Sequence, residues 1–236
     1  MKQEKNLILI EDAAECLGST VKGSKVGSQS DSAIFSFCGN KVLTTGEGGA
    51  VVTNSKKIYE KIKLIRSHGR QDSNSYFQNP SKSQYLSLGY NWRMSSLTAA
   101  LGISQLNKLD KIIKMRQKNA KQLISKLAKF KEISILDPPS GYEHIYQMFT
   151  IKLNSKKIRD GLHTFLKKKR IFTKVYFFPI HLTEFYKKNF PNSGKSLSNT
   201  EKLSNQLLTL PLYPNMTSEE KQYLIESISE FFEKVK

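Results

Sequence analysis

The order of apolar and polar stretches along the chain predicts an α/β protein. Short continuous runs of aliphatic and aromatic residues at 7–10, 33–37 and 49–54 are typical of strands. The first run is predicted to be a buried strand of a parallel sheet, because charged residues follow it at once. Asn54 and Ser55 then precede a run of helical character, which predicts a helix that ends at Arg66.

A long helix is predicted in the middle of the chain. Ser95 or Ser96 can cap its first turn, and apolar side chains recur at helical spacing from Leu97 to Leu127, which is about nine turns. Before it, residues 69–89 are polar and rich in Ser, Asn and Gln. This segment is predicted to be a long surface loop, a kind of segment that often carries function.

A second, smaller domain is predicted after this helix. The sequence Asp-Pro-Pro-Ser-Gly at 137–141 breaks the helical pattern, and the patterns beyond it predict strands at 146–153 and 173–178 and helices at 157–169 and 218–235. The order of elements therefore predicts two domains. Residues 1–130 would be an α/β domain that ends in the long helix, and residues 131–236 a small α+β domain.

Composition narrows the class of protein. The chain of 236 residues is 38% hydrophobic and 25% charged, which is typical of a globular protein. No apolar run approaches the ~20 residues of a membrane helix. Cys16 and Cys38 do not make a disulfide framework, and no Cys and His residues have the spacing of a zinc site. A reducing cytoplasm is the expected location.

The net charge of +18 bears on possible partners. Such an excess of basic over acidic residues occurs in proteins that bind nucleic acids or membrane surfaces. Here the lysines are spread along the chain, and aromatic residues are not interleaved with them as in a surface that stacks single strands. A solvated lysine-rich surface is the favoured interpretation. Polyanion binding is the alternative. A shift in the electrophoretic mobility of nucleic acid that weakens as salt is added would support it.

Two polar residues that follow strands are candidates for chemistry. Asp12 ends the first predicted strand, at the edge where ligands bind open α/β sheets, and a buried carboxylate there needs a cationic partner. Lys41 follows the second strand in a glycine-rich turn, where loss of water would free its amine for reaction with a carbonyl group. Taken alone, each has a plainer interpretation: a loop or cap carboxylate, and a lysine that faces solvent.

Taken together, the motifs resemble those of the DegT/DnrJ/EryC1/StrS family of sugar aminotransferases. The similar segments are EDAAE at 11–15, FSF at 35–37 with Lys41, TGEGG at 45–49, GYNWRM at 89–94 with Trp92 in place of the usual Tyr, and FPIH at 178–181. The resemblance covers nearly the whole chain. It implies fold type I of the pyridoxal-phosphate-dependent transferases, here the C-terminal part of the large α/β domain followed by the small α+β domain.

The resemblance also implies a cofactor, pyridoxal 5′-phosphate, and residues that bind it. Lys41 would form the Schiff base with the cofactor and later move protons. Asp12 would pair with the pyridinium nitrogen and keep the ring protonated. Ser36 would donate a hydrogen bond to the phosphate. Asn91 would reach the phosphate held by the neighbouring subunit, which implies active sites shared in a dimer.

Three further positions are implied near the ligands. Glu15 matches a position close to the cofactor ring. Arg93 and His181 match positions on the substrate side, although a surface or core histidine is the alternative for His181. No metal is expected.

The family reaction transfers an amino group, usually from glutamate, to a keto sugar nucleotide. The Gly39-Asn40-Lys41 and Glu15 variants are most similar to those of GDP-perosamine synthases. This similarity implies a substrate such as GDP-4-keto-6-deoxymannose and a role in the synthesis of surface polysaccharide. A lysine at position 41 argues against the family's sugar 3-dehydratases, which carry histidine there.

One departure from the family concerns length. The chain starts just before the aspartate strand, so it does not include the Gly-Ser/Thr turn that binds phosphate or the aromatic residue that stacks on the cofactor ring. We therefore expect a truncated or split form, which acts as a homodimer or with a partner that supplies the N-terminal half. A degenerate fragment without catalytic activity is the alternative.

Overall fold

The computed structural model describes residues 7–71, 85–191 and 197–235. Most of the predicted surface loop at 69–89 lies outside the described residues. The chain forms two compact units, one of Met1–Ile112 with Ser140–Gln147 and one of Ile113–Pro139 with Met148–Lys236. The units divide inside the long helical region, whereas the domain boundary at residue 130 stays a prediction.

Helices and strands are named in chain order over the described residues. The strands are β1 Ile10–Asp12, β2 Thr20–Val21, β3 Ser24–Lys25, β4 Ser32–Ser36, β5 Gly49–Val52, β6 Ile133–Ile135, β7 Tyr142–Glu143, β8 Phe149–Leu153 and β9 Leu207–Leu210. The helices are α1 Lys56–Arg66, α2 Ser96–Leu106, α3 Leu109–Leu127, α4 Lys156–Lys168, α5 Glu184–Asn189, α6 Ser198–Ser204 and α7 Ser218–Val235. None of the helices in the described part of the chain is long and apolar enough to cross a membrane.

The sheet that carries the candidate site has the strand order β1-β4-β5. β1 runs parallel to β4 with Asp12 opposite Ile34, and β5 runs antiparallel to β4. Ala33 in β4 is fully buried. The strands predicted at 33–37 and 49–54 are confirmed, with slightly different ends. A second small sheet of the same unit has the order β3-β2-β7.

The prediction of a buried strand at 7–10 is wrong in both place and burial. The strand is Ile10–Asp12, and the aliphatic side chains before and within it are exposed, Ile8 by 80%. An aliphatic run favours burial, but burial also needs a covering element. No element among the described residues covers this run.

The single long helix predicted from Ser95 to Leu127 is also wrong, because α2 and α3 are separate. Between them the Lys108 N–H donates to the Gln105 carbonyl, only three residues back, at 3.0 Å. Asn107 at the break is a weak helix former. The two helices also differ in burial: α2 has no buried residue, whereas α3 buries one stripe of side chains, Leu109, Ile113, Ala120, Leu123 and Leu127.

The second unit is built on the sheet β6-β8-β9, in which both pairings are antiparallel. β8 alternates buried and half-buried residues, as the central strand of a sheet covered on one face does. Helix α4 packs on β8 and β9 and against α7. The core residues of this unit include Ile151, Leu153, Leu162, Leu166, Leu208, Leu224 and Ile228. The predicted helices at 157–169 and 218–235 are confirmed as α4 and α7.

Of the two strands predicted in this unit, one is present and one is not. The strand at 146–153 is present as the shorter β8, since Tyr146 has a positive φ of 54°, which extended strands do not have. The strand at 173–178 is wrong. Only Lys174 pairs, by two hydrogen bonds of 3.0 and 2.8 Å with Thr209 of β9. Pro179, which cannot donate to a strand ladder, follows soon after, and the chain enters the 3₁₀ turn Ile180–Leu182.

Candidate active site

The carboxyl ends of β1 and β4 lie side by side because the two strands are parallel neighbours. The Ala13 N–H donates to the Ile34 carbonyl at 3.0 Å, which carries the pairing one residue past β1. Asp12, the last residue of β1, is exposed, and its Oδ1 accepts from the Ala14 N–H at 3.1 Å. The prediction that the aspartate and lysine segments follow neighbouring strands at one edge of the sheet is confirmed.

The loop that carries the candidate lysine is closed by hydrogen bonds. The Phe37 N–H donates to the Gly48 carbonyl at 2.8 Å, and the Phe37 carbonyl accepts from the Thr45 N–H at 2.9 Å and from Thr44 Oγ1 at 3.2 Å. Thr45 is buried, and its Oγ1 donates to the Glu47 carbonyl at 2.7 Å. These contacts fix the shape of the loop between its two ends.

Two glycines permit this closure for different reasons. Gly46 and Gly48 have φ angles of 82° and 151°, which other residues rarely adopt. A Cβ at position 48 would lie 2.7 Å from Thr45 Oγ1 and 2.8 Å from Met94 Cε, whereas a Cβ at position 46 would meet nothing within 4 Å. Gly48 is therefore needed for its conformation and for the close approach of Met94, and Gly46 for its conformation alone.

The amine of Lys41 forms an ion pair with the carboxylate of Glu15, through Nζ and Oε1. The Lys41 side chain is 13% exposed and that of Glu15 is 39% exposed. The second carboxylate oxygen, Oε2 of Glu15, is buried and has no hydrogen-bond partner among the described residues. The ion pair joins the loop after β1 to the loop after β4, a contact that sequence reasoning did not predict.

Negative charge gathers around the loop after β1. Burial, followed by the carboxylates of Glu15, Asp12 and Glu11, raises the pKa of the Cys16 thiol. The amine of Lys41 reaches this group of carboxylates through its contact with Glu15. The site thus combines one amine with several acids.

The segment 89–94 runs beside the end of α1. The Tyr90 N–H donates to the Ile65 carbonyl at 2.6 Å, and the Trp92 N–H donates to the Arg66 carbonyl at 2.9 Å. The Tyr90 and Trp92 rings stack with their centroids 4.2 Å apart. Trp92 therefore supplies the aromatic surface expected at this motif position.

Asn91 and Arg93 project from this segment and contact each other. Arg93 Nε donates to Asn91 Oδ1 at 3.3 Å, and both residues are exposed. Arg93 also lines a groove of about 660 Å³ together with Glu47 and Gly48 of the lysine loop. The structure thus brings Arg93 to the lysine loop and pairs Asn91 with Arg93.

Ser36 and His181 complete the set of predicted site residues. Ser36 ends β4, and its Oγ accepts from the Cys38 N–H at 3.3 Å, which leaves its own O–H to donate elsewhere. His181 belongs to the second unit, is 8% exposed, and has Nε2 3.1 Å from Glu201 Oε1 of α6. Its position on the substrate side stays a prediction.

Sequence reasoning missed residues that hold the lysine loop from elsewhere in the chain. Gln147 Nε2 donates to the carbonyl of Asn40, the residue before Lys41, at 2.9 Å. Gly102 of α2 lets this helix approach Thr45, since a Cβ there would lie 3.1 Å from Thr45 Cγ2. The small residues of α2 were a signal for the second contact. No local pattern marks Gln147, which is 107 residues away from Asn40.

The described residues do not meet the requirements of a metal site. Over residues 7–71, 85–191 and 197–235, no group of three or more His, Cys, Asp or Glu side chains could hold a metal ion.

Known proteins resemble this chain over nearly all of its length. Residues 1–229 match the DegT/DnrJ/EryC1/StrS aminotransferase family. A GDP-perosamine synthase from Escherichia coli O157:H7 is 32% identical over 235 residues, which are 98% of this chain and 60% of that protein.

Solved structures match equally well. Helicobacter pylori PseC, an aminotransferase involved in the biosynthesis of pseudoaminic acid, has a TM-score of 0.89 at 28% identity, covering 99% of this chain and 62% of that chain. The PMP form of a putative sugar aminotransferase, Spr1654 from Streptococcus pneumoniae, has a TM-score of 0.86 at 25% identity, covering 100% and 61%. These matches confirm the predicted fold class, that of fold-type-I transferases. The chain spans about 60% of the length of the proteins that it matches.

Proposed function

Since the chain belongs to the DegT/DnrJ/EryC1/StrS aminotransferase family, we propose that it acts in the transfer of an amino group to a keto sugar nucleotide, with pyridoxal 5′-phosphate as cofactor. One observation carries the proposal. The amine of Lys41, on the loop after β4, is held at the sheet edge where the neighbouring strand β1 finishes in Asp12. An amine and an acid on adjacent strand ends can serve one ligand bound between them.

The residues at this edge fit such a cofactor. Oε2 of Glu15 is buried without a partner in the described part of the chain, so the site retains an acceptor for a ligand's donor group. Lys41 would hold the cofactor through its aldehyde, Asp12 through its ring nitrogen and Ser36 through its phosphate. Asn91 would reach the phosphate in a second copy of the chain, which makes a homodimer part of the proposal.

Bound pyridoxal phosphate supplies an aldehyde and a pyridine ring that withdraws electrons from the bonds next to the amino nitrogen. The chain supplies positioning and proton movement. The Asp12 carboxylate would hold the ring nitrogen through its positive charge. Lys41 Nζ would move a proton, first as a general base and then as a general acid. Arg93 and His181 would orient the substrate.

The substrate that we propose is a keto sugar nucleotide such as GDP-4-keto-6-deoxymannose, with glutamate as amino donor and surface polysaccharide as the destination. The similarity to a GDP-perosamine synthase supports this choice. The net charge of +18 suits an anionic nucleotide sugar. Two free thiols, Cys16 and Cys38, are consistent with the proposed location in the cytoplasm.

A second candidate is supported by exposed apolar residues. Ile10, Ile34, Val51 and Val52 of the β1-β4-β5 sheet are all exposed. Large exposed apolar areas favour association with other protein surfaces. We propose that activity requires the part of the family fold that this chain does not span, supplied by further polypeptide. Without it the chain would be a fragment that cannot catalyse transfer.

The test is turnover with glutamate and GDP-4-keto-6-deoxymannose, followed by mass spectrometry of the nucleotide sugar. We expect the native chain alone to form the amino sugar nucleotide slowly at most, and Lys41→Arg to form none. A parallel assay adds a polypeptide that carries the missing part of the fold. Turnover only in that mixture would support the second candidate. No turnover in either assay, with any keto sugar nucleotide supplied, would refute the proposed activity.

A further inference from the structure

The ion pair between Glu15 and Lys41 forms within this chain, without a ligand. The two residues are 26 positions apart, so their contact depends on the parallel pairing of β1 and β4. Because the Lys41 side chain is only 13% exposed, water and salt screen this pair less than an exposed one. The amine is therefore held in one place and beside one acceptor.

We propose that Glu15 restrains the amine of Lys41 through this ion pair until a ligand arrives. This inference rests on the proposed function, in which Lys41 must react with an aldehyde. The ion pair has to open before Nζ can attack a carbonyl carbon, because the nitrogen needs a free lone pair for that attack.

Other charged or titratable groups lie on or beside both loops. They are Glu11, Asp12 and Cys16 beside β1, and Cys38 and Glu47 on the lysine loop. The other carboxylates of this set have contacts of their own, namely Asp12 with the Ala14 N–H, Glu11 with the Gly27 N–H, and Glu47 with Cys38 Sγ. Of these carboxylates, Glu15 is the one in contact with Nζ.

The second oxygen of Glu15 supports the same role. Oε2 is buried and accepts no hydrogen bond from any residue that the structure describes. A carboxylate without other donors has no competing interaction that would stabilise its charge. Its described side-chain partner is Lys41 Nζ, so the carboxylate is available to hold this amine.

The test measures the reactivity of Lys41 in the full chain without cofactor. Trace acetylation with acetic anhydride at about pH 8 is followed by peptide mass spectrometry, with the exposed Lys57 of α1 as the internal reference. We expect Lys41 to be acetylated about 10-fold faster in Glu15→Gln than in the native chain, because the charge-assisted hydrogen bond that holds Nζ is lost. Glu47→Gln, which removes a carboxylate of the same loop, is expected to leave the rate unchanged.

Two further variants separate this role from a structural one. Glu15→Asp keeps the charge and is expected to restore most of the slow rate. The buried Lys221 of the second unit reports on folding, since it becomes reactive only if the chain unfolds. If Glu15→Gln unfolds, Glu15→Ala serves for the same comparison. Equal Lys41 rates in the folded native and charge-removed chains would overturn the proposal. Loss of the fold in both variants would also overturn it, since it would make Glu15 a structural residue.

Acetylation requires no cofactor, so its result stands whether or not pyridoxal phosphate binds. Failure of the proposed function would appear elsewhere, as the absence of cofactor attachment to Lys41. A fast Lys41 in Glu15→Gln together with no attachment would preserve the role of Glu15 and refute the function.

Discussion

The Ala13 amide donates to the Ile34 carbonyl at 3.0 Å, one residue beyond the end of β1. This bond brings the start of one loop against the neighbouring strand, so the loops that carry Glu15 and Lys41 leave the sheet at the same edge. The candidate site therefore depends on strand pairing first and on loop closure second. Substitutions in the lysine loop test the second part.

Gly48→Ala is expected to destabilise the chain more than Gly46→Ala. Both positions have positive φ, which costs an alanine about 1–2 kcal/mol. Only position 48 also places the new Cβ against Thr45 Oγ1 and Met94 Cε. Overpacking of this kind adds roughly 1–3 kcal/mol. Urea unfolding of the two variants measures the difference, and equal losses would contradict the close packing of Met94 on the loop.

A buried cation in the second unit allows a separate test of packing. Lys221 Nζ donates to Asn119 Oδ1 at 3.0 Å, and Asn119 Nδ2 donates to the Tyr213 and Pro214 carbonyls at 2.9 Å each. Asn119→Ala removes the side-chain donor of both carbonyls and one of the two acceptors of Lys221, whose Nζ also donates to Gln122 Oε1 at 2.7 Å. We expect a loss of about 2–4 kcal/mol in unfolding free energy. Lys221→Met removes the charge and keeps an apolar side chain of similar length, so its loss should be smaller. Thermal unfolding showing the reverse order would refute this description.

The reactivity of Cys16 should report the acidic surroundings of the site. Burial and the neighbouring carboxylates raise the pKa of its thiol, so the reactive thiolate forms only at higher pH than usual. In a Cys38→Ser background, alkylation by iodoacetamide at about pH 8 should be slow. It should become about 2- to 5-fold faster in Glu15→Gln, since one of the negative charges is removed. An unchanged rate in Glu15→Gln would show that burial alone sets the thiol pKa.

Much of the fold could be predicted because the signals are local. Ser55 caps α1 by accepting from the Ile58 N–H at 3.4 Å, as the sequence pattern indicates. The helix α7 and the strand β4 likewise follow from periodicity and from a continuous apolar run. The tendency of such segments to form a helix or a strand depends on their own residues, and that tendency leaves a pattern.

The errors have physical causes that lie outside the local pattern. Residues 7–10 have strand character, but their burial depends on a covering element. The break at Asn107 interrupts apolar spacing that continues on both sides, so the periodicity alone indicates one helix. At 173–178, the apolar residues are mostly exposed, and Lys174 alone pairs with Thr209.

The candidate site could be predicted only in part for the same reason. Asp12 and Lys41 stand at strand ends, which a sequence reveals. The contact of Glu15 with Lys41 requires that β1 and β4 be neighbours. The hydrogen bond from Gln147 to the Asn40 carbonyl comes from a segment distant in sequence. Tertiary pairing brings these residues together, and no spacing along the chain encodes it.

Attachment of pyridoxal phosphate to Lys41 is the central claim, and one measurement tests it directly. The chain is mixed with an equimolar amount of the cofactor, reduced with borohydride and mapped by peptide mass spectrometry, with Lys41→Arg as the matched control. We expect the reduced pyridoxyl group on the peptide that contains Lys41, and its loss in the control. Labelling of other lysines with Lys41 unmodified would contradict the assignment of the active-site lysine.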